Sequence, residues 1–138
     1  MNNKLIVFLI LFINFSCYKQ VETIYKTHAT IYLVNETSET IKSDDTLGYT
    51  IQPGKTIIHT ESNELDGDRP SINNFFLSFQ YNNNKFIYGE QESKCETRIY
   101  NIYSYENRKE LMQDGDIQVF EFTFRFTEEK KDEAEICN

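Results

Sequence analysis

The sequence has no tryptophan, only two histidines and only two prolines, and its basic residues are outnumbered by acids, 14 to 22. Each shortage removes a class of function. His28 and His59 are the only side chains whose ordinary pKa makes them bases near neutral pH, and no Gly-x-Ser-x-Gly elbow accompanies them. A Ser or Cys hydrolytic triad is therefore not indicated. Their spacing carries no metal-ligand signature, so they are read as surface or filler histidines, with no metal and no cofactor assigned. A short chain without Trp also has little room for the substrate cleft of a two-carboxylate glycosidase, and no catalytic residue is assigned.

Long apolar runs are missing as well, except at the start. Residues 5–15 read LIVFLILFINF behind a single Lys4, with no acid before Cys17. A helix crossing a bilayer needs roughly 20 apolar residues, and this run is about half of that. It has the layout of an export signal, with residues 1–16 as the cleaved leader. Cys17 stands directly behind the run, where lipid attachment to a bacterial lipoprotein places its cysteine. Ser16 is suitably small for the cut, while Asn14 and Phe15 depart from the usual Leu-Ala/Ser box. The alternatives are a plain secretory signal or an uncleaved apolar anchor. The expected product is lipid-anchored at Cys17 in the cell envelope, at the outer membrane, with acyl chains contributing about 0.8 kcal/mol per buried methylene.

Without the leader the chain holds 13 Lys and Arg against 22 Asp and Glu, a formal charge of −9. That balance excludes nucleic acid and anionic headgroups as natural partners and otherwise serves solubility. Three cysteines are an odd number for an exported chain, but lipid on Cys17 leaves Cys95 and Cys137 as a pair. Joining them would close a loop of roughly 42 residues and stabilise the fold by about 4 kcal/mol in the chain-entropy model. Two free buried thiols are the alternative.

Residues 17–26 read as the lipidated cysteine and a tether, and residues 27–138 as one domain. From Ala29 the pattern has period two, with Ala29, Ile31 and Leu33 on one face and Thr30, Tyr32 and Val34 on the other, as in a central strand. A short run covers residues 40–42. Leu47, Tyr49 and Ile51 then lead to Gln52-Pro53-Gly54-Lys55, a type II turn, and a returning strand over residues 56–59. Residues 61–71 read as an exposed loop. Residues 75–81 and 85–88 flank Asn82-Asn83-Asn84 as a hairpin. Residues 98–105 read as a strand, 106–112 as one or two helical turns, and 128–138 as a charged tail with a short helix ending at Cys137. The clearest strand follows Asp114-Gly115-Asp116, with Phe120, Phe122, Phe124 and Phe126 on one face and Glu121, Thr123, Arg125 and Thr127 on the other. Seven to eight strands, regular turn signals and no long helical period or repeat predict an all-β antiparallel sandwich, immunoglobulin-like or transthyretin-like.

Three further patterns invite a site. Glu64, Asp66 and Asp68 alternate along one segment and suit Ca²⁺, but Gly67 falls in the wrong place for an EF-hand, and a solvated turn is the better reading. Tyr100, Tyr103 and Tyr105 could stack on a sugar or peptide, although strand tyrosines more often pack in the core. Asn35-Glu36-Thr37 is a glycosylation sequon by eukaryotic logic only.

The signal ending INFSC and the closing FTFRFTEEKKDEAEIC, with Cys95 in mid-domain, resemble small lipoproteins of the Bacteroidota, of the flavobacterial type, with a β-sandwich domain. The resemblance implies a fold and an address and supplies no catalytic residues. Asp45-Thr46-Leu47 is similar to the O-glycosylation acceptor of that phylum's periplasm, which makes Thr46 the candidate residue. The functional expectation is a non-enzymatic, membrane-anchored β-sandwich that binds an unknown protein or glycan partner. An immunity or inhibitor lipoprotein against a basic toxin or hydrolase is the alternative, and a small carbohydrate-active enzyme or glycan-binding accessory protein the second alternative.

Overall fold

The structure, a computed structural model, describes residues 23–43, 47–75, 77, 85–89 and 94–137. Nine strands are present among them: β1 (Ile24–Asn35), β2 (Ile41–Ser43), β3 (Thr50–Ile51), β4 (Thr56–Asp66), β5 (Phe86–Tyr88), β6 (Lys94–Glu96), β7 (Glu106–Asp114), β8 (Ile117–Phe126) and β9 (Glu135–Ile136). Three single 3₁₀ turns and one helix, α1 (Glu128–Glu133), complete the described elements. One sheet has the order β4-β1-β8-β7 and the other β3-β2-β5-β6-β9, an all-β sandwich.

The core forms where the period-two stripes of the two sheets meet. Phe120, Phe122, Phe124 and Phe126 are each 0% exposed, as are Ile31 and Leu33 beside them on β1. Across the gap, Phe86 and Tyr88 of β5 meet Phe126 at ring centroid distances of 5.5 and 5.9 Å. Burying each such ring contributes about 1.5–3 kcal/mol, and each aromatic pair about 1 kcal/mol more. The turn before β4 forms as its sequence requires: Gly54 takes φ +70° and the Lys55 amide donates to the Gln52 carbonyl at 3.0 Å. Thr127 caps α1 by accepting from the Lys130 amide.

The expected antiparallel arrangement holds for every described strand pair but one. β1 and β8 run parallel at the centre of one sheet, and four of the five described strands of the second sheet are made between them, with β9 added after β8. Residues 106–112 are not helical. Their Glu, Lys, Leu and Met favour a helix weakly, but the Gly115 turn (φ +56°) folds them back along β8, where ladder hydrogen bonds outweigh propensity. Residues 98–105 are not a strand either. Ile99, Ile102 and Tyr105 are buried at a spacing of three, the period of the two 3₁₀ turns Arg98–Tyr100 and Ile102–Ser104. The loop expected over residues 61–71 begins only after Asp66, since β1 starts at Ile24, inside the expected tether, and pairs with β4 throughout. The hairpin expected around residues 82–84 lies largely outside the described residues; Phe75 and Leu77 from it are buried. No helix among the described residues is long and apolar enough to cross a membrane.

Candidate functional site: the outer edge of β4

Which backbone groups of β4 face outward follows from the ladder itself. The Asn35 amide donates to the Lys55 carbonyl at 2.9 Å, and at the far end the Gly67 amide donates to the Thr23 carbonyl at 3.3 Å. Both pairs continue the unbroken register that matches Val34 to Thr56 and Ile24 to Asp66. Hydrogen-bonded pairs alternate in an antiparallel ladder, so Ile57, His59, Glu61, Asn63 and Leu65 turn their N–H and C=O groups to β1. Thr56, Ile58, Thr60, Ser62, Glu64 and Asp66 turn theirs away. β1 itself agrees, since its even-numbered Lys26 donates to the Asp116 carbonyl on the opposite side. β4 has no other neighbour in its sheet among the described residues.

The remaining sheet edges among the described residues are guarded. β3 and β9 are two residues long, and β7 is broken by two register shifts and by Asn107 at φ +49°. Short edges, bulges, Lys and Pro are the usual means of keeping an edge from pairing with another chain. β4 is long and regular, running for 11 residues without a shift and with no Pro, Lys or Arg, and the charges it carries, Glu61, Glu64 and Asp66, are confined to its second half.

The two faces of β4 differ. On the outer face, Ile58 is 58% exposed opposite Tyr32, and Glu64 pairs with Lys26 at 3.5 Å. On the inner face, His59 Nδ1 meets the Tyr49 hydroxyl at 2.7 Å, and His59 Nε2 lies 3.3 Å from Glu61 Oε2. This chain ties the residue before β3 to β4 and so joins the two sheets beside the outer edge. It does not make an activated nucleophile: desolvation pushes the Tyr49 hydroxyl up, which keeps it a neutral phenol. The His-x-Glu spacing, two residues on one strand face, is the sequence signal for it.

The sequence-derived candidates are scattered. His28 lies on the outer face, bonded to Ser62 Oγ at 2.8 Å, and His59 on the inner face, so the two histidines are separated by the sheet. Glu64 and Asp66 end β4 and Asp68 follows it, and no three ligand-type side chains among the described residues are grouped to hold a metal. Tyr105 is 3% exposed with its hydroxyl on the Ile99 carbonyl, Tyr103 is 65% exposed under Arg108, and Tyr100 packs on the core, so the three tyrosines form no common surface. Asn35 is fully buried: its amide donates to the carbonyls of Glu39 and Ile51 and its oxygen accepts from Thr37, which makes the sequon an internal turn. Cys17 and Thr46 lie outside the described residues.

Cys95 and Cys137 are joined, with Cα atoms 5.1 Å apart, where β6 pairs with β9. Next to them is a buried network that the sequence did not advertise. Glu96, 1% exposed, accepts from the Tyr88 hydroxyl, from the Arg98 amide at 2.8 Å and from Arg98 Nε at 2.9 Å. Arg98 also donates to Glu133 at 2.6 Å and to the Lys130 carbonyl, while Lys94 donates to the carbonyls of Lys131 and Asp132 at 3.2 Å. Burial, with Glu96 alongside, pushes the Tyr88 hydroxyl well up. With every partner satisfied inside the fold, this network anchors α1 and the C-terminus. Comparison with protein-family models, curated proteins and solved structures finds no match to this chain.

Proposed function

We propose that the chain is a lipid-anchored, non-enzymatic binding module of the cell envelope that takes up an extended segment of another protein as an added strand along β4. The observation that carries the reading is the row of outward backbone groups from Thr56 to Asp66, a hydrogen-bonding template with no neighbouring strand among the described residues. The address rests on Cys17 directly behind the apolar run. An immunity or inhibitor lipoprotein is the second reading, favoured by the acids at the end of the same edge.

Extended peptides selected against the full chain test the binding role. The expected ligands are lost by Thr60→Pro, which removes an outward N–H while leaving the ladder to β1 intact; ligands held equally by that variant overturn it. Palmitate labelling tests the address, and labelling that persists in Cys17→Ser would sink it.

A further inference from the structure

Resting on that reading, we infer that the strand β4 accepts is cationic at one end and apolar at the other. The edge is polarised along its length. Its second half carries Glu64 and Asp66 on the outer face, with Asp68 just beyond, and no basic residue. The nearby cations offset this only in part. Lys26 meets Glu64 at 3.5 Å in a pair whose two side chains are mostly exposed and which a competing cation can replace at little cost, Arg69 is turned to Glu110, and Lys55 lies before the opposite end of the strand. The first half presents Thr56, the exposed Ile58 and Thr60 on the outer face.

In an added antiparallel strand, the stronger pairing per residue, side chains directly opposite each other share a face. Lys or Arg opposite Glu64 and Asp66 would gain Coulombic attraction there, and a β-branched residue opposite Ile58 would cover its exposed surface. The formal charge of −8 on the chain draws a cationic segment in from a distance. The same charge sets two copies of the chain against each other, so a second copy is the poorer occupant.

The test uses the full chain in detergent and a fluorescent peptide of the length of β4, with two lysines in its first half and Val and Thr elsewhere. Three comparisons accompany it: the same peptide with glutamates for the lysines, the lysine peptide N-methylated at three amides facing β4, and the variants Glu64→Gln/Asp66→Asn and Thr60→Pro. The lysine peptide is expected to bind. N-methylation should weaken it on the order of a hundredfold, from about 1 kcal/mol for each of three lost hydrogen bonds. The double carboxamide variant should weaken it about three- to tenfold, an effect that fades as salt rises.

Equal binding of the glutamate peptide overturns the charge assignment and leaves the strand-addition reading standing. Sedimentation as a dimer that Thr60→Pro dissociates does the same, with a second copy as occupant. Equal binding of the N-methylated peptide, or no effect of Thr60→Pro on peptide binding or self-association, removes both the inference and the reading beneath it.

Discussion

Proline placed at neighbouring positions of β4 should give opposite outcomes, and the contrast tests the orientation of the edge without any ligand. Asn63 pairs with Thr27, and by the ladder's alternation its N–H points at the Thr27 carbonyl. Thr27 is 0% exposed. Asn63→Pro therefore leaves a buried carbonyl without its donor, which costs about 1–3 kcal/mol. Thr60→Pro removes an N–H that points away from β1 and has no partner among the described residues, and the reduced freedom of the unfolded chain offsets most of the lost Thr contacts, for a net change within about 1 kcal/mol. The gap between the two variants should be about 2 kcal/mol, or about 5–10 °C in Tm for a domain of this size. Thermal and urea unfolding of both variants measure it, and amide exchange adds a second reading. Amides of Ile58, Thr60, Ser62 and Glu64 should exchange fast, while those of Ile57, His59, Glu61 and Asn63 are protected. Equal destabilisation by the two prolines, or no alternation in exchange, would refute the assignment of the outer edge.

Cutting the Cys95–Cys137 link with reductant, or by Cys95→Ser with Cys137→Ser, should lower stability by about 4 kcal/mol for the 42-residue separation and release the C-terminal segment to proteases; unchanged urea midpoints would contradict it. Glu96→Gln should cost about 1–3 kcal/mol, because Arg98 would keep only the exposed Glu133 carboxylate and the Tyr88 hydroxyl would lose its charged acceptor, and a loss under about 0.5 kcal/mol would show that the network is not an anchor. Glu128 is held at about 2 by its bond to Lys131 and by the Ser38 amide. Its folded pKa is depressed, so its contribution is complete above the ordinary carboxylate pKa and is lost as pH falls from about 4.5 through about 2. A Glu128→Gln variant should accordingly lose part of the acid dependence of unfolding in that window, and an unchanged pH profile would count against the assignment.

Much of the frame was legible because it rests on local patterns. Phe120 to Phe126 alternate so regularly that only a half-buried strand satisfies them, and all four are fully buried. The Pro53-Gly54 turn depends on residues next to each other in the chain, whereas Thr127, read as a strand residue, caps α1 instead. The reading failed where two local patterns were equally plausible. Residues 98–105 offered Ile and Tyr at both even and odd spacings, and their period of three emerges only when Ile99, Ile102 and Tyr105 meet the core. Residues 106–112 have helical propensity that a hairpin with β8 overrides.

The sequence by itself determined the class of fold, the faces of β1 and β8, the pairing available to Cys95 and Cys137, and the acidity of β4. The tertiary structure decided what those features are next to. Glu61 to Asp66 look like a polar loop in one dimension, and they are the end of an edge strand because β1 extends back to Ile24 to meet them. That β4 ends its sheet among the described residues is a property of strand order, set by non-local hydrogen bonds that no residue of β4 encodes alone.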